Sequence, residues 1–371
     1  MSIKPVKIGI VGCGNISHAY LTYSKMFGVL DIVAVSDVLV ERAQARAAEF
    51  SVPCACTVEE LLRRDDVEIV LNITTPQSHK EIALAALAAG KHVYNEKPLG
   101  VTRRDGLEIM SAADRAGLRV GCAPDTVLGA GHQTARKLID DGAIGRPVAA
   151  AAFMMCPGHE SWHPDPEFYY KLGGGPMMDM GPYYLSDLTM LLGPVTRVSG
   201  AAGIQINPRT ITSDKKRGAL IDVETPDHVA GLMHFECGAI GTIITSFAAR
   251  GSQLPRIEIY GTEGSLSVPD PNAFGGPVRL LAGGSKEWKD VPLLDGYAGN
   301  SRSLGLADMA MAIRTGREHL VTGRQAYHVL DVMHSFLDSS SVGRHYDITS
   351  TFTRPAPLAV GRGEDQFPGS K

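Results

Sequence analysis

Three stretches of this chain combine residue types and backbone shapes suited to holding a charged ligand. The first is Gly12-Cys13-Gly14-Asn15-Ile16-Ser17, a glycine turn between the apolar strand Val6-Lys7-Ile8-Gly9-Ile10-Val11 and a helix. Gly12 permits the tight turn and Gly14 lets a pyrophosphate approach the backbone, while the helix amino end offers N–H groups and partial positive charge. Ser17 stands where the dinucleotide fingerprint has its third glycine, and its small side chain still permits close helix packing. The second stretch is Ser36-Asp37, at the end of a strand over residues 32–35. A carboxylate placed about twenty residues beyond such a turn accepts hydrogen bonds from the ribose hydroxyls of an adenosine. Asp37 equally suits the N-cap of a helix over 41–50, and the two roles are compatible. The third is Val93-Tyr94-Asn95-Glu96-Lys97-Pro98-Leu99, where proline keeps the preceding Lys97 out of the helical region at a strand's carboxyl end. Open α/β sheets bind ligands in the crevice at those ends, so Lys97 points at whatever the fold binds. Taken alone, Glu96 and Lys97 read equally well as a solvated pair.

The elements around these stretches follow a strand–helix alternation. A strand over 68–73 ends in Thr74-Thr75-Pro76, which should line a dinucleotide together with the glycine turn, Glu96 and Lys97. His79, just before a helix over 81–89, suits a cap or a ribose contact. A helix over 102–116 and a strand over 118–122 complete a doubly wound α/β Rossmann domain with a parallel sheet, residues 1–124. The carboxylate of Asp37 repels a 2′-phosphate and no arginine follows it directly, so NAD is expected over NADP, with Arg42 able to reach back.

After the crossover Ala123-Pro124-Asp125 the pattern changes. A helix over 133–140 and a strand over 147–155 precede strands over 195–202, 228–235, 239–246, 256–260, 265–268 and 278–282 that lack intervening helices. This is the grammar of an antiparallel sheet, and residues 125–353 are expected to form an α+β domain with a large, mostly antiparallel open sheet. Helices over 302–314 and 325–339 close it, and residues 354–371, rich in Pro and Gly, read as a loosely held tail. Within the domain, Gly173-Gly174-Gly175-Pro176 starts a helix with Pro in its first turn. Asp179 and Tyr183, four residues apart, should share one face of it. An Asp there also compensates the helix dipole.

At 371 residues, 44% apolar and 20% charged, the chain has the makeup of an ordinary globular protein of two domains. Its net charge of -4, without a Lys/Arg block, argues against a nucleic-acid surface, and no apolar run is long enough to cross a bilayer. Met1-Ser2-Ile3-Lys4-Pro5 leads directly into a strand without signal-peptide features, which points to the cytoplasm. The six cysteines show no metal-ligand spacing, and Cys54-Ala55-Cys56 matches neither a zinc knuckle nor a redox pair, so all six are expected to be reduced and structural.

Taken together, the residues resemble the glucose-fructose oxidoreductase and inositol dehydrogenase (Gfo/Idh/MocA) family over nearly the whole chain. The resemblance rests on Gly12-Cys13-Gly14, Glu96-Lys97-Pro98, the glycine run leading to Asp179-Met180-Gly181, and Ile257-Glu258-Ile259-Tyr260-Gly261-Thr262-Glu263-Gly264-Ser265-Leu266. It implies that Lys97 and Asp179 are catalytic and that the free face of the second sheet makes a homodimer or homotetramer. Many relatives carry His at the third catalytic position, where this chain has Tyr183, as some family members do. Many also carry an Asn-Arg pair where this chain reads Cys122-Ala123-Pro124-Asp125-Thr126.

The expected activity is NAD-dependent hydride transfer at a ring carbon of a sugar, sugar derivative or cyclic polyol. Lys97 would supply positive charge, Tyr183, made more acidic by that ammonium, would move the proton, and Asp179 would orient both. An alternative keeps the cofactor but uses transient oxidation, elimination and re-reduction to cleave a glycoside. A cofactor-sensing protein without catalysis ranks behind both. Asp125 is a further candidate for substrate contact. So are Trp162 and His163, in the insertion of residues 157–170, where an aromatic face and polar groups suit a sugar ring, although the same loop could simply pack under the sheet.

Overall fold

In the computed structural model, which describes residues 3–361 and 366–368, the alternating first third of the chain closes into a parallel sheet. Its strands are β1 (Val6–Val11), β2 (Leu30–Ser36), β3 (Ala55–Cys56), β4 (Ile69–Asn72), β5 (His92–Asn95) and β6 (Val120–Cys122). They lie in the order β3-β2-β1-β4-β5-β6. Helices α1 (Asn15–Tyr23), α2 (Val40–Phe50), α3 (Val58–Leu62), α4 (Pro76–Ala88) and α5 (Arg103–Ala116) connect them. The chain winds outward in both directions from β1 and β4, and the ligand crevice of such a sheet lies where those directions part. Helix α4 begins five residues earlier than its apolar pattern indicates, because Thr75 is the N-cap and Pro76 occupies the first turn, where a missing N–H is harmless. His79 is consequently inside the helix.

Beyond β6 come α6 (Ala130–Asp140), β7 (Pro147–Met155), α7 (Pro176–Asp179) and α8 (Gly181–Leu192). Then follow β8 (Val195–Gly203), β9 (Arg209–Thr210), β10 (Leu220–Ile221), β11 (His228–Phe235), β12 (Ile240–Ser246), β13 (Ile257–Gly261), β14 (Gly264–Val268), β15 (Val278–Ala282) and β16 (Lys289–Val291). Helices α9 (Leu304–Thr315) and α10 (Gly323–Val342) and strand β17 (Tyr346–Asp347) end the described elements. Nine strands form one open sheet, β16-β15-β14-β13-β7-β12-β11-β8-β17, and β9 and β10 make a separate pair. Every neighbouring pair in the nine-stranded sheet is antiparallel except β7 and β12, which run parallel. Its inner face, with Ala150, Ala152, Met154 and Ile243, packs against Leu185 and Leu188 of α8 and Met333 and Phe336 of α10.

Two sequence expectations are corrected. Residues 304–321 do not join the second core: Leu304, Ala307, Ala310 and Val321 pack with Ile8, Ile10, Leu71 and Tyr94 of the first sheet. The chain thus returns to the Rossmann domain, and Gly121 bridges Thr322. Nor are the described residues of the tail loosely held. Pro355 accepts from Arg136, Leu358 donates to Gln133, and Phe367 is 1% exposed against Phe27 and Tyr297. Residues 362–365 and 369–371 of that expected tail lie outside the described residues.

Two buried histidines tie the pieces together as neutral rings. His328 accepts the Val195 N–H on Nε2 at 3.0 Å, so its proton sits on Nδ1, facing Ser350. His319 faces the Val120 carbonyl through Nε2 at 3.0 Å. Burial pushes both down to about 4. An unfolded histidine protonates near 6.5, so between these pH values the unfolded chain binds more protons than the folded one. Stability is therefore complete above about pH 6.5 and declines as pH falls towards 4, by on the order of 3 kcal/mol per histidine. Urea unfolding at pH 7.5, 6 and 5 should show midpoints falling in that order; a flat profile would contradict the neutral assignment.

Candidate active site

The glycine turn has the shape a dinucleotide needs. Gly12 adopts φ +104°, and a Cβ there would meet the Ile73 carbonyl oxygen at 2.8 Å. A Cβ on Gly14 would meet nothing within 4 Å, because it faces a cavity of about 380 Å³ lined by Cys13, Gly14, Asn15, Arg42, Arg46 and Glu49. That opening at the amino end of α1 suits a pyrophosphate. Asp37 braces the turn: Oδ2 accepts the Cys13 N–H at 2.7 Å and Oδ1 accepts the Leu39 N–H at 2.9 Å. Its spare lone pairs remain available to ribose hydroxyls. Leu39, not Asp37, is the N-cap of α2. Ser17 donates to the Gly14 carbonyl at 2.6 Å and accepts from Arg46 at 3.0 Å, tying α2 to the turn in a way glycine cannot.

On the far side of the switch point, β5 delivers Glu96 and Lys97 to the cleft. Glu96 accepts the Tyr20 hydroxyl at 2.8 Å and the Lys97 N–H at 2.9 Å, and Arg302 Nη1 lies 3.7 Å from it. The Lys97 ammonium crosses to the second domain, donating to the carbonyl oxygen of Asp179 at 2.6 Å and to its Oδ1 at 2.8 Å. It also lies 5.2 Å from the centroid of the Tyr183 ring. Burial opposes its charge, but Asp179, Tyr183 and Glu96 outweigh this and hold the ammonium well above its ordinary range. Burial likewise opposes the Asp179 carboxylate, and Lys97 and His159 hold it well below the usual carboxylate range. At neutral pH the two therefore face each other fully charged.

Sequence spacing places Asp179 and Tyr183 on one continuous helix, whereas the structure breaks that helix at Met180. Tyr183 N–H bonds to the Met180 carbonyl at 3.0 Å instead of the Asp179 carbonyl, which Lys97 takes. The site thus brings together Lys97, Asp179 and Tyr183. Thr74 donates to Asn72 at 2.7 Å, behind the glycine turn.

Of the other candidates, His79 and Asp125 are buried, and Trp162 packs against His159 with 5.2 Å between ring centroids. His79 is fully buried between the carbonyls of Pro98 (2.7 Å) and Thr74 (3.1 Å), where the two strand-end loops meet. Asp125 is 1% exposed, and its Oδ2 accepts the N–H groups of Ser303 and Gly305 at the amino end of α9. Trp162 is 60% exposed at the rim of the insertion, and His163 accepts the Asp165 N–H in a turn of its own.

Sequence reading missed His159, Arg302 and Tyr20. His159 Nε2 lies 3.3 Å from Asp179 Oδ2. Arg302 is mostly buried, and though burial opposes its charge, Tyr183, Glu96 and Tyr20 raise it. His159 lies within the insertion of residues 157–170 that the sequence already marks, whereas no local pattern marks Tyr20, on α1, or Arg302, just before α9, which reach the site from segments distant in sequence.

A Rossmann domain with a strand-end lysine facing an acid and a tyrosine from a second, open-sheet domain defines a nicotinamide-dependent oxidoreductase. Two family models match: an oxidoreductase family NAD-binding Rossmann fold over residues 6–123 and the Gfo/Idh/MocA C-terminal domain over residues 132–267. The chain belongs to the Gfo/Idh/MocA family. It is 31% identical over 267 residues to a 1,5-anhydro-D-fructose reductase of Ensifer adhaerens, covering 70% of this chain and 74% of that one. To a myo-inositol 2-dehydrogenase of Thermotoga maritima it is 24% identical over 262 residues, again 70% and 74%. In fold it is similar to a levoglucosan dehydrogenase in complex with NADH, with TM-score 0.79, 21% identity, and coverage of 94% and 100%. It is also similar to an NAD-binding oxidoreductase from Klebsiella pneumoniae, with TM-score 0.82, 22% identity, and coverage of 93% and 99%.

The wall carrying His159 is anchored by one buried guanidinium. Arg209 donates to Glu160 and Asp227 at 2.7 Å each and to the carbonyls of Phe247 (2.8 Å) and Pro157 (3.1 Å). Gly158, at φ +99°, is required beneath it, because a Cβ there would collide with Glu160, Tyr170 and Arg209. Removing one partner of a buried ion pair strands the others, at about 3–5 kcal/mol. Arg209→Met should lower unfolding free energy by that amount in urea titration, and a change below about 1 kcal/mol would contradict the buried-anchor assignment.

Proposed function

We propose that this chain is an NAD-dependent dehydrogenase acting on a ring hydroxyl of a sugar, sugar derivative or cyclic polyol, with Lys97, Asp179 and Tyr183 as the catalytic group. The observation that carries the proposal is the Lys97 ammonium, held between Asp179 and the Tyr183 ring at the carboxyl end of β5. The relatives' names, which specify a cyclic sugar derivative and a cyclic polyol, support the substrate class.

NAD, when bound, supplies the hydride acceptor. Lys97, kept protonated, cannot take the hydroxyl proton; its charge stabilises alkoxide character at the substrate oxygen. Tyr183, as the phenolate that the neighbouring ammonium stabilises, takes that proton, and Asp179 aims the ammonium. The outer face of the nine-stranded sheet exposes Leu232 and Ile240, with Ile244 paired beside Phe153, and a second copy of the chain is its proposed cover.

Purified protein incubated with NAD and levoglucosan, myo-inositol, 1,5-anhydro-D-glucitol and p-nitrophenyl glycosides should show stoichiometric cofactor reduction with at least one of them. Nitrophenol release without net reduction would overturn the dehydrogenase reading in favour of glycoside cleavage. Lys97→Ala should lower turnover by about 100-fold or more while NAD binding stays measurable by calorimetry. Near-normal turnover in that variant would remove Lys97 from the mechanism.

We further propose NAD over NADP, because a 2′-phosphate beside Asp37 would meet a carboxylate already held in place by two backbone N–H groups. Asp37→Ser should narrow the ratio of NAD to NADP affinities measured by calorimetry. An unchanged ratio, or a wild type preferring NADP, would reduce Asp37 to a brace of the glycine turn.

A further inference from the structure

The Asp179 carboxylate is held from two sides, and only one of them is Lys97. Oδ1 and the main-chain carbonyl take the ammonium, whereas Oδ2 faces His159 Nε2 at 3.3 Å. A carboxylate fixed through one oxygen pivots about its last side-chain torsion, and that torsion is broad. A second donor on the other oxygen stops the pivot.

We propose that His159 is a positioning residue of this site, donating from Nε2 to Asp179 Oδ2 so that Oδ1 stays on the Lys97 ammonium. The proposal rests on the reading that Asp179 aims Lys97. A carboxylate accepts only, so the imidazole proton must be on Nε2 at this contact.

The surroundings of His159 give it little freedom to leave. Its ring centroid lies 4.1 Å from that of Tyr169, 4.6 Å from Phe247 and 5.2 Å from Trp162. Its backbone N–H donates to the Tyr170 hydroxyl at 3.3 Å. The neighbouring Glu160 is clamped by Arg209, which also holds the Pro157 carbonyl. The loop thus fixes the imidazole, and the imidazole fixes the carboxylate. A residue kept only to fill space between three aromatic rings needs no hydrogen-bonding nitrogen. That difference separates the two explanations.

The test uses His159→Phe, which keeps a flat aromatic ring, and His159→Gln, which keeps an Nε2 donor at similar reach. Crystal structures of the NAD complexes are compared first. In His159→Phe the Asp179 carboxylate should turn and its Oδ1 contact with Lys97 should open beyond hydrogen-bond distance, whereas His159→Gln should preserve both. An unmoved carboxylate in His159→Phe overturns the proposal. Nitrogen-15 spectra of the wild-type NADH complex, with the His159 signals assigned by their loss in His159→Gln, should show Nε2 protonated; the opposite neutral tautomer also overturns it.

With the sugar that the wild type oxidises, His159→Phe should lose about 100-fold in kcat at unchanged KM and unchanged NAD affinity, with His159→Gln restoring most of it. Equal kcat in wild type and His159→Phe overturns the positioning role. A wild type inert towards every sugar tested would instead count against the dehydrogenase reading, and the crystallographic and spectroscopic comparisons would still decide His159.

Discussion

The structure depends on one contact that crosses between its two halves, the ammonium of Lys97 against the main-chain oxygen and carboxylate of Asp179. An unpaired buried charge is expensive, and here each charge is the other's compensation. The main-chain oxygen is free to join because the helix is interrupted. Pro182, in the first turn of α8, has no N–H to continue α7, and the Tyr183 N–H turns to Met180. A continuous helix would have consumed the Asp179 carbonyl internally, leaving Lys97 a single partner. The break also sets the positions of Asp179 and Tyr183 around the ammonium.

Charges of alternating sign extend this contact into the Rossmann domain. Glu96 lies between the Tyr20 hydroxyl and Arg302, and Arg302 is in turn influenced by Tyr183. Arg302 enters the site because Asp125 caps the amino end of α9 just beyond it, binding the Ser303 and Gly305 N–H groups. Asp125, a residue that looks available to substrate at the domain crossover, therefore acts on the cleft through backbone geometry. Burial pushes its carboxyl up, and Arg302 with the two N–H groups acts against that.

The opposite wall is built by a different economy of charge. Arg209, from the small β9–β10 pair, collects Glu160, Asp227, two carbonyls and the face of Tyr170. This holds an irregular loop firmly enough to aim His159, whereas Trp162 and Phe168 at its rim remain about half exposed. The rigid part of the loop lies beside Asp179 and its exposed aromatic part faces outward. A site that must keep fixed chemistry while meeting a particular ring benefits from that division.

The Rossmann half was legible in the chain because its signals are local: Gly12 needs φ +104°, Lys97 precedes a proline, and strands and helices alternate at their own periods. The antiparallel sheet was legible for the same reason, through strands that follow one another without helices. Lys97, Asp179 and Tyr183 stood out by residue type beside glycine and proline. Tertiary structure alone decided that α9 belongs to the first core, that β7 and β12 run parallel, and that Asp125 and His79 are spent on backbone groups. It alone placed His159 on Asp179 and Arg302 beside Glu96. Local sequence encodes torsions and periodicity, whereas partners of buried charges are set by which distant segments meet, and no spacing along the chain records that meeting.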